Sequence, residues 1–152
     1  MQTTGWRARL LANWTLSGGL TAGSGNPLTA RVLGNQSNTG GSGAVGSGRA
    51  DATGEDVTAG GGFFNPGAFA IPPSGRYGNA ARNTIPGPSS VALNLSFGRS
   101  FQLHDSRRRV ELRVDSTNVL NHVNYTSVAT IVNATNYGLP TATQAMRALT
   151  AT

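Results

Sequence analysis

Aromatic rings set beside side-chain amides are the residues of this chain best suited to chemistry, and that chemistry is recognition. Phe63, Phe64, Phe69 and Tyr77 are interspersed with Asn65, Asn79 and Asn83 in "GGGFFNPGAFAIPPSGRYGNAARNTIPGP". A ring offers an apolar face and an amide offers both a donor and an acceptor, a combination that suits glycans or amphiphilic solutes. Two compatible readings stay open. Either these side chains face a ligand, or Phe64 and Phe69 anchor the segment over whatever lies beneath it.

Other constellations fall short of a reactive site. "GSGAVG", Gly41 to Gly46, matches G-x-G-x-x-G, but that motif binds a dinucleotide only between a strand and a helix, with an acid about 20 residues on. Here it sits in a Gly/Ser stretch with neither. His104-Asp105 joins one imidazole to one carboxylate in a polar turn, too few ligands for a metal, and His122 stands apart at the end of "NVLNH". No serine has a histidine base placed by the pattern. The chain has no cysteine, so thiolate sites and disulfides are excluded. The expectation is no enzyme, no catalytic residue, no metal and no cofactor.

The formal charge is +6, carried by arginine without a single lysine. A nucleic-acid surface gathers its cations into one patch with aromatics between them. These arginines are scattered, only Arg107, Arg108 and Arg109 form a run, and no nucleic-acid partner is expected. That run is either a solvated turn or a contact to anionic headgroups. The first residues, "MQTTGWRARLLANWTLSGG", lack the continuous apolar core of a secretory signal. No apolar run approaches the roughly 18 residues of a membrane-spanning helix.

The elements that must position the recognition segment are alternating strands. In "VALNLSFGRSFQL", Val91, Leu93, Leu95, Phe97, Phe101 and Leu103 share one face of an extended chain, interrupted only by Arg99. Ala92, Asn94, Ser96, Gly98, Ser100 and Gln102 share the other. Average strands run about 5–6 residues, and this alternation lasts more than twice that. "WTLSGGLTA" repeats it with Trp14, Leu16 and Leu20. "RVELRVDSTNVL" repeats it with Val110, Leu112 and Val114, while Glu111, Arg113 and Asp115 alternate in sign on the opposite face, about 7 Å apart. Those three charges either pair with neighbouring strands or touch a solute. The strands are expected near 14–22, 90–103 and 109–120, with the start of another at 146–152. Very long connections, 23–89 and 121–145, alternate with one short turn, 104–108.

A strand that is greasy on one side, small and polar on the other, and longer than about 9–11 residues fits a bilayer crossed by a β-barrel. Short turns then face the periplasm and long loops the exterior. Arg99 lies near the short turn, where its guanidinium can snorkel to headgroups. The competing reading is a soluble β-sandwich whose apolar faces meet in a core.

Three segments carry a family resemblance. "NWTLSGGLTAGSGNPLTA", "FFNPGAFAIPPSGRYGNAARNTIPGPSSVALNLSFGRSFQL" and "VELRVDSTNVLNHVNY" resemble, in order, motifs of the barrels of TonB-dependent outer-membrane receptors. The similarity is to the Oar-like group, whose members often carry a carboxypeptidase-regulatory-like domain. Two departures stand out. Pro86-Gly87-Pro88 is followed by Ser89 where the family has Gly-Pro-Gly, and the sequence ends in "MRALTAT" rather than in a strand with a terminal aromatic. The resemblance implies an all-β fold of antiparallel strands from the C-terminal part of a transmembrane β-barrel, with long irregular loops, in the bacterial outer membrane. It implies a fragment cut at both ends, contributing wall and extracellular loops to uptake of a solute. Its partners are then outer-membrane lipid and the remainder of the barrel and plug, and the TonB complex only through an N-terminal part not included here. Glu111, Arg113 and Asp115 would face the lumen. The alternative is an adhesin-like or structural surface β protein with no transport role. Either way the isolated chain, with open edges and an apolar side, is expected to aggregate in water and to need detergent.

Overall fold

The computed structural model describes residues 12–38, 48–102 and 108–152. "GSGAVG", His104-Asp105 and most of the expected short turn lie outside the described residues. The fold is all-β: among the described residues the one helical element is a 3-10 turn, Pro66–Ala68. The chain divides into two compact units, one formed by 12–22, 91–123 and 145–152, the other by 23–90 and 124–144.

The first is a four-stranded sheet. Its strands are β1 (Trp14–Gly23), β6 (Ser90–Gln102), β7 (Arg109–Thr117) and β10 (Ala148–Ala151), in the order β1-β6-β7-β10. β6 and β7 are antiparallel, with Phe97 opposite Val114, Arg99 opposite Leu112 and Phe101 opposite Val110. β10 continues the pattern on the far side of β7, Leu149 opposite Ser116 and Ala151 opposite Val114. On the near side the Ser100 amide donates to the Asn13 carbonyl at 3.1 Å, and the position of a Gly18 Cβ abuts Leu95. β1 therefore runs against β6 in the opposite direction. Partners in a ladder point to the same side of a sheet, so Trp14, Leu16, Leu20, Phe97, Phe101, Val110, Leu112, Val114 and Leu149 form one apolar face. That face is open: Leu16 is 71% exposed and Leu149 69%. It is organised nonetheless, for Trp14 stacks on Phe97 with centroids 4.7 Å apart and planes 21° from parallel. The Arg99 guanidinium lies 4.7 Å over the Trp14 ring and 4.6 Å over that of Phe101.

The third strand stops at Thr117, short of the expected Leu120. Asn118 takes φ +47°, a left-handed conformation that asparagine tolerates better than branched residues. Its Oδ1 accepts from the His122 amide at 3.2 Å and its Nδ2 donates to the His122 carbonyl at 2.9 Å. The buried amide side chain thus closes a turn where the apolar pattern alone suggests more strand.

The second unit is built from the long connections, which carry short paired strands between irregular stretches. Six short strands pair within it: β2 (Arg31–Val32) with β3 (Gly48–Arg49), β4 (Asp51–Ala52) with β5 (Phe69–Ala70), and β8 (Tyr125–Val128) with β9 (Pro140–Thr143). The Leu28–Ile85 bridge adds reciprocal backbone bonds at 2.7 and 3.0 Å. Ala30, Ala50, Phe64, Ala68, Phe69, Ala80, Ile85 and Val128 form its buried core, flanked by Leu28, Val57, Phe63, Val132 and Tyr137. Alanines let backbones approach closely, and glycines let them approach further. A Cβ on Gly87 would overlap the Asn26 carbonyl, and one on Gly25 would overlap the Gly87 backbone.

Two predictions follow from this core. Gly87→Ala should cost about 1–3 kcal/mol through overpacking, read as faster native-state proteolysis within 23–90. Burial pushes the Tyr137 phenol up to about 12 from its ordinary 10. A phenol raised in the folded state favours folding fully below its unfolded value, so this stabilisation is lost as pH rises from about 10 through about 12. An ultraviolet phenolate titration should show a late step that Tyr137→Phe abolishes.

Candidate functional site

The recognition candidates of the 63–83 segment separate into two sets. Phe64 and Phe69 are 4% and 5% exposed, the burial that the anchoring alternative requires of them. Their rings meet edge-on at 6.4 Å, and Phe64 meets Tyr137 the same way at 5.5 Å. Phe63 packs edge-on against Tyr125 at 5.1 Å. The phenylalanines are therefore anchors, and an edge-to-face pair of this kind contributes about 0.5–1.5 kcal/mol beyond its buried area.

Two of the amides are likewise committed to structure. Asn65 caps the 3-10 turn by accepting from the Gly67 amide at 2.9 Å, while its Nδ2 donates to Glu55 Oε2 at 3.0 Å. Asn79 Oδ1 accepts from the Ala52 amide at 2.8 Å, and the Asn79 amide donates to Asp51 Oδ1 at 3.0 Å. Asn83 takes φ +59°, and its amide donates to Thr29 Oγ1 at 2.9 Å. Tyr77 (69%), Asn79 and Asn83 are exposed, and of these Tyr77 and Asn83 border one concave space.

That space is a cavity of about 800 Å³ within the second unit. Arg31, Arg49, Arg82, Tyr77, Thr29 and Asn83 contribute to its wall. The three arginines come from β2, β3 and the segment before Ile85, and sequence reasoning missed them because no run or motif connects them. The pairing of Arg31 with Arg49 in the β2–β3 ladder is what brings the first two together. Arg49 Nη1 also donates to the Ala80 carbonyl at 3.4 Å.

The acids of this unit are engaged elsewhere. Asp51 forms an ion pair with Arg76. Glu55 accepts from Asn65. The Asp56 carboxyl is held below its usual range, first by the Thr58 amide and then by the Thr58 hydroxyl. Among the described residues no carboxylate contributes to the cavity wall.

On the polar face of the sheet, Arg113 Nε donates to Asp115 Oδ1 and to Ser96 Oγ, each at 2.9 Å. Arg113 therefore engages both its own strand and the neighbouring one. Gly98 lies opposite Arg113 and Ser100 opposite Glu111, so small side chains on β6 leave room for the charges of β7. Among the described residues no three His, Asp or Glu side chains gather as a metal site.

No curated protein and no solved structure matches the chain. A family model does, that of an outer membrane beta barrel domain, over residues 1–149. Four strands cannot close on themselves, since the smallest barrels need about eight, and this sheet accordingly represents part of a wall. With a strand of 13 residues, opposite apolar and polar faces, and a family match spanning nearly its whole length, the chain belongs to the outer membrane β-barrel domain family and its location is the bacterial outer membrane.

Proposed function

We propose that this chain supplies wall and extracellular loops to a TonB-dependent outer-membrane receptor that takes up a solute. The observation that carries the reading is the organisation of the long connections. Residues 23–90 and 124–144 fold together around one core and enclose a polar cavity. Passive loops have no need of such a body, whereas a receptor needs a shaped surface held by its barrel. The motif resemblance over roughly residues 13–138 supports the same assignment. On this reading the apolar face meets outer-membrane lipid, and Glu111, Arg113 and Asp115 line the lumen. The remainder of the barrel and a plug complete the receptor, and the TonB complex acts through that plug-bearing part. The chain itself performs no catalytic step, holds no metal or cofactor, and binds no nucleic acid.

Sequencing the reading frame on either side of this segment tests the proposal. A plug with a TonB-contacting segment upstream, followed by further alternating strands, is the expected result. Strands without a plug would overturn uptake and leave an adhesin-like surface protein.

The orientation of the sheet gives a separate prediction. Leu112→Arg places a charge on the face assigned to lipid and should cost about 2–4 kcal/mol near the bilayer midplane. Ser100→Arg, on the opposite face, should cost far less. Urea unfolding of both variants in lipid vesicles compares them directly, and equal losses would reverse the assignment of faces.

A further inference from the structure

We infer that the cavity of the second unit is a binding site for a saccharide-sized oxyanion, a sugar carrying carboxylate or phosphate groups. The inference rests on the reading of this unit as the solute-contacting part of a receptor, and it adds the chemical class of the solute. Three observations converge on it.

The first is the distribution of charge. The unit contains four arginines and three acids. Arg76 is paired with Asp51, and the other three arginines, Arg31, Arg49 and Arg82, all contribute to one cavity. Glu55 and Asp56 are held by Asn65 and Thr58. The excess positive charge is therefore concentrated in one concave place, where the fields of the three guanidiniums add in attracting an anion.

The second is the register. Arg31 and Arg49 are direct partners in the β2–β3 ladder, which sets their Cβ atoms about 4.5–5.5 Å apart on one side. Like charges in that relation destabilise a ladder. An oxyanion shared between two guanidiniums reverses the sign, because each planar fork can donate two parallel hydrogen bonds to it. The ladder is held in place regardless: Val32, next to Arg31, is fully buried. The Arg31 amide donates to the Thr130 carbonyl at 2.9 Å, and the Val132 amide donates back to the Arg31 carbonyl at 2.8 Å.

The third is the remainder of the wall. Tyr77 is exposed on the rim and supplies a ring face, on which the C–H side of a sugar can lie. Thr29 and Asn83, already bonded to one another, place a hydroxyl and an amide beside it. A volume of about 800 Å³ is within the range of small-molecule sites, about 300–1,000 Å³, and exceeds what a bare inorganic ion requires.

The test is calorimetric titration of the full-length protein in detergent. The probes are digalacturonate, glucose 1,6-bisphosphate and, as a neutral disaccharide of similar size, galactobiose. At least one anion should bind and galactobiose should not. Arg31→Gln and Arg82→Gln should each weaken that binding about tenfold, the scale of one lost charge-assisted contact, while Arg147→Gln should leave it unchanged. Without ligand, Arg31→Gln should raise the melting temperature by relieving its repulsion with Arg49, a readout that also shows the variant to be folded. Failure of both anions, equal binding of the neutral sugar, or indifference to both arginine variants would overturn the inference. If a plug is encoded upstream but no anion binds, the site fails and the receptor reading stands. If the anion binds through the arginines in a protein without a plug, the site stands and uptake fails.

Discussion

Register between β6 and β7 is the constraint on which the sheet depends. In hydrocarbon every backbone donor and acceptor must find its partner in a neighbouring strand, because no water is available to substitute. Alternate side chains must then divide cleanly between lipid and interior. Phe97 opposite Val114 and Gly98 opposite Arg113 achieve this in adjacent rungs. A slip of one residue would carry Arg113, Asp115 and Glu111 to the apolar side and expose Leu112 and Val114 on the polar one. The penalty grows with each rung, which is why one long pairing can specify what several short ones could not. The small residues of β6 serve the same end, since Gly98 and Ser96 give the Arg113 side chain a place to lie on the polar face.

The second unit is held by a different balance. Its ladders β2–β3 and β4–β5 are only two residues long, and an isolated pair of that size contributes little stability. Close backbone approach and a shared core compensate. Ala30, Ala50, Ala68 and Ala80 bring chains together without large side chains between them, and Phe64, Phe69 and Ile85 fill the volume that remains. The Ala50 amide donates to the Ala30 carbonyl at 3.2 Å and the Ala80 amide to the Ala50 carbonyl at 2.9 Å, so three buried alanines are linked in series through the backbone. Side-chain amides complete what the ladders leave open: Asn133 accepts from the Leu33 amide at 2.7 Å and donates to the Leu33 carbonyl at 3.2 Å. Polar residues that look like loop filler are thus the means by which a long connection acquires a defined shape.

This contrast explains what could be read from the sequence. The period-2 alternation of Val91 to Gln102 has one cause, a sheet with two unlike sides, and the same cause repeats in Trp14 to Leu20 and Val110 to Val114. The all-β fold and its membrane setting were legible for that reason. The core of the second unit was not, because it takes one residue at a time from distant positions such as Ala30, Ala50 and Val128, leaving no period to detect. Aromaticity alone could not separate Tyr77 on the rim from Phe64 and Phe69 inside. What distinguishes them is the company of Tyr137 and Ile85, which is a property of the fold. The cavity arginines escaped notice for the same reason: Arg31, Arg49 and Arg82 are isolated in sequence and become neighbours only through a two-residue ladder and the chain that follows Gly78. The end of β7 was hidden by Val119 and Leu120, whose apolar character extends the pattern past the point where Asn118 turns the backbone.

Arg99 shows how the apolar face accommodates an exception. It lies opposite Leu112, on the side where a charge is least welcome, and snorkelling to headgroups is the ordinary expectation for such a residue. The structure adds a second device, for the guanidinium is held over two rings, Trp14 from β1 and Phe101 from its own strand. A cation–π contact contributes about 0.5–1 kcal/mol when exposed and about 2 or more when desolvated, so its strength rises in the environment that makes the charge costly. A lipid-facing arginine costs about 2–4 kcal/mol at the midplane and about 0–1 near the interface. Two ring contacts are of the size needed to offset the interfacial cost, and part of the midplane one. The arrangement also couples strands, since Trp14 can stack on Phe97 and receive Arg99 only while β1 keeps its register with β6. A residue that interrupts the apolar series in sequence therefore helps to lock the sheet that the series builds.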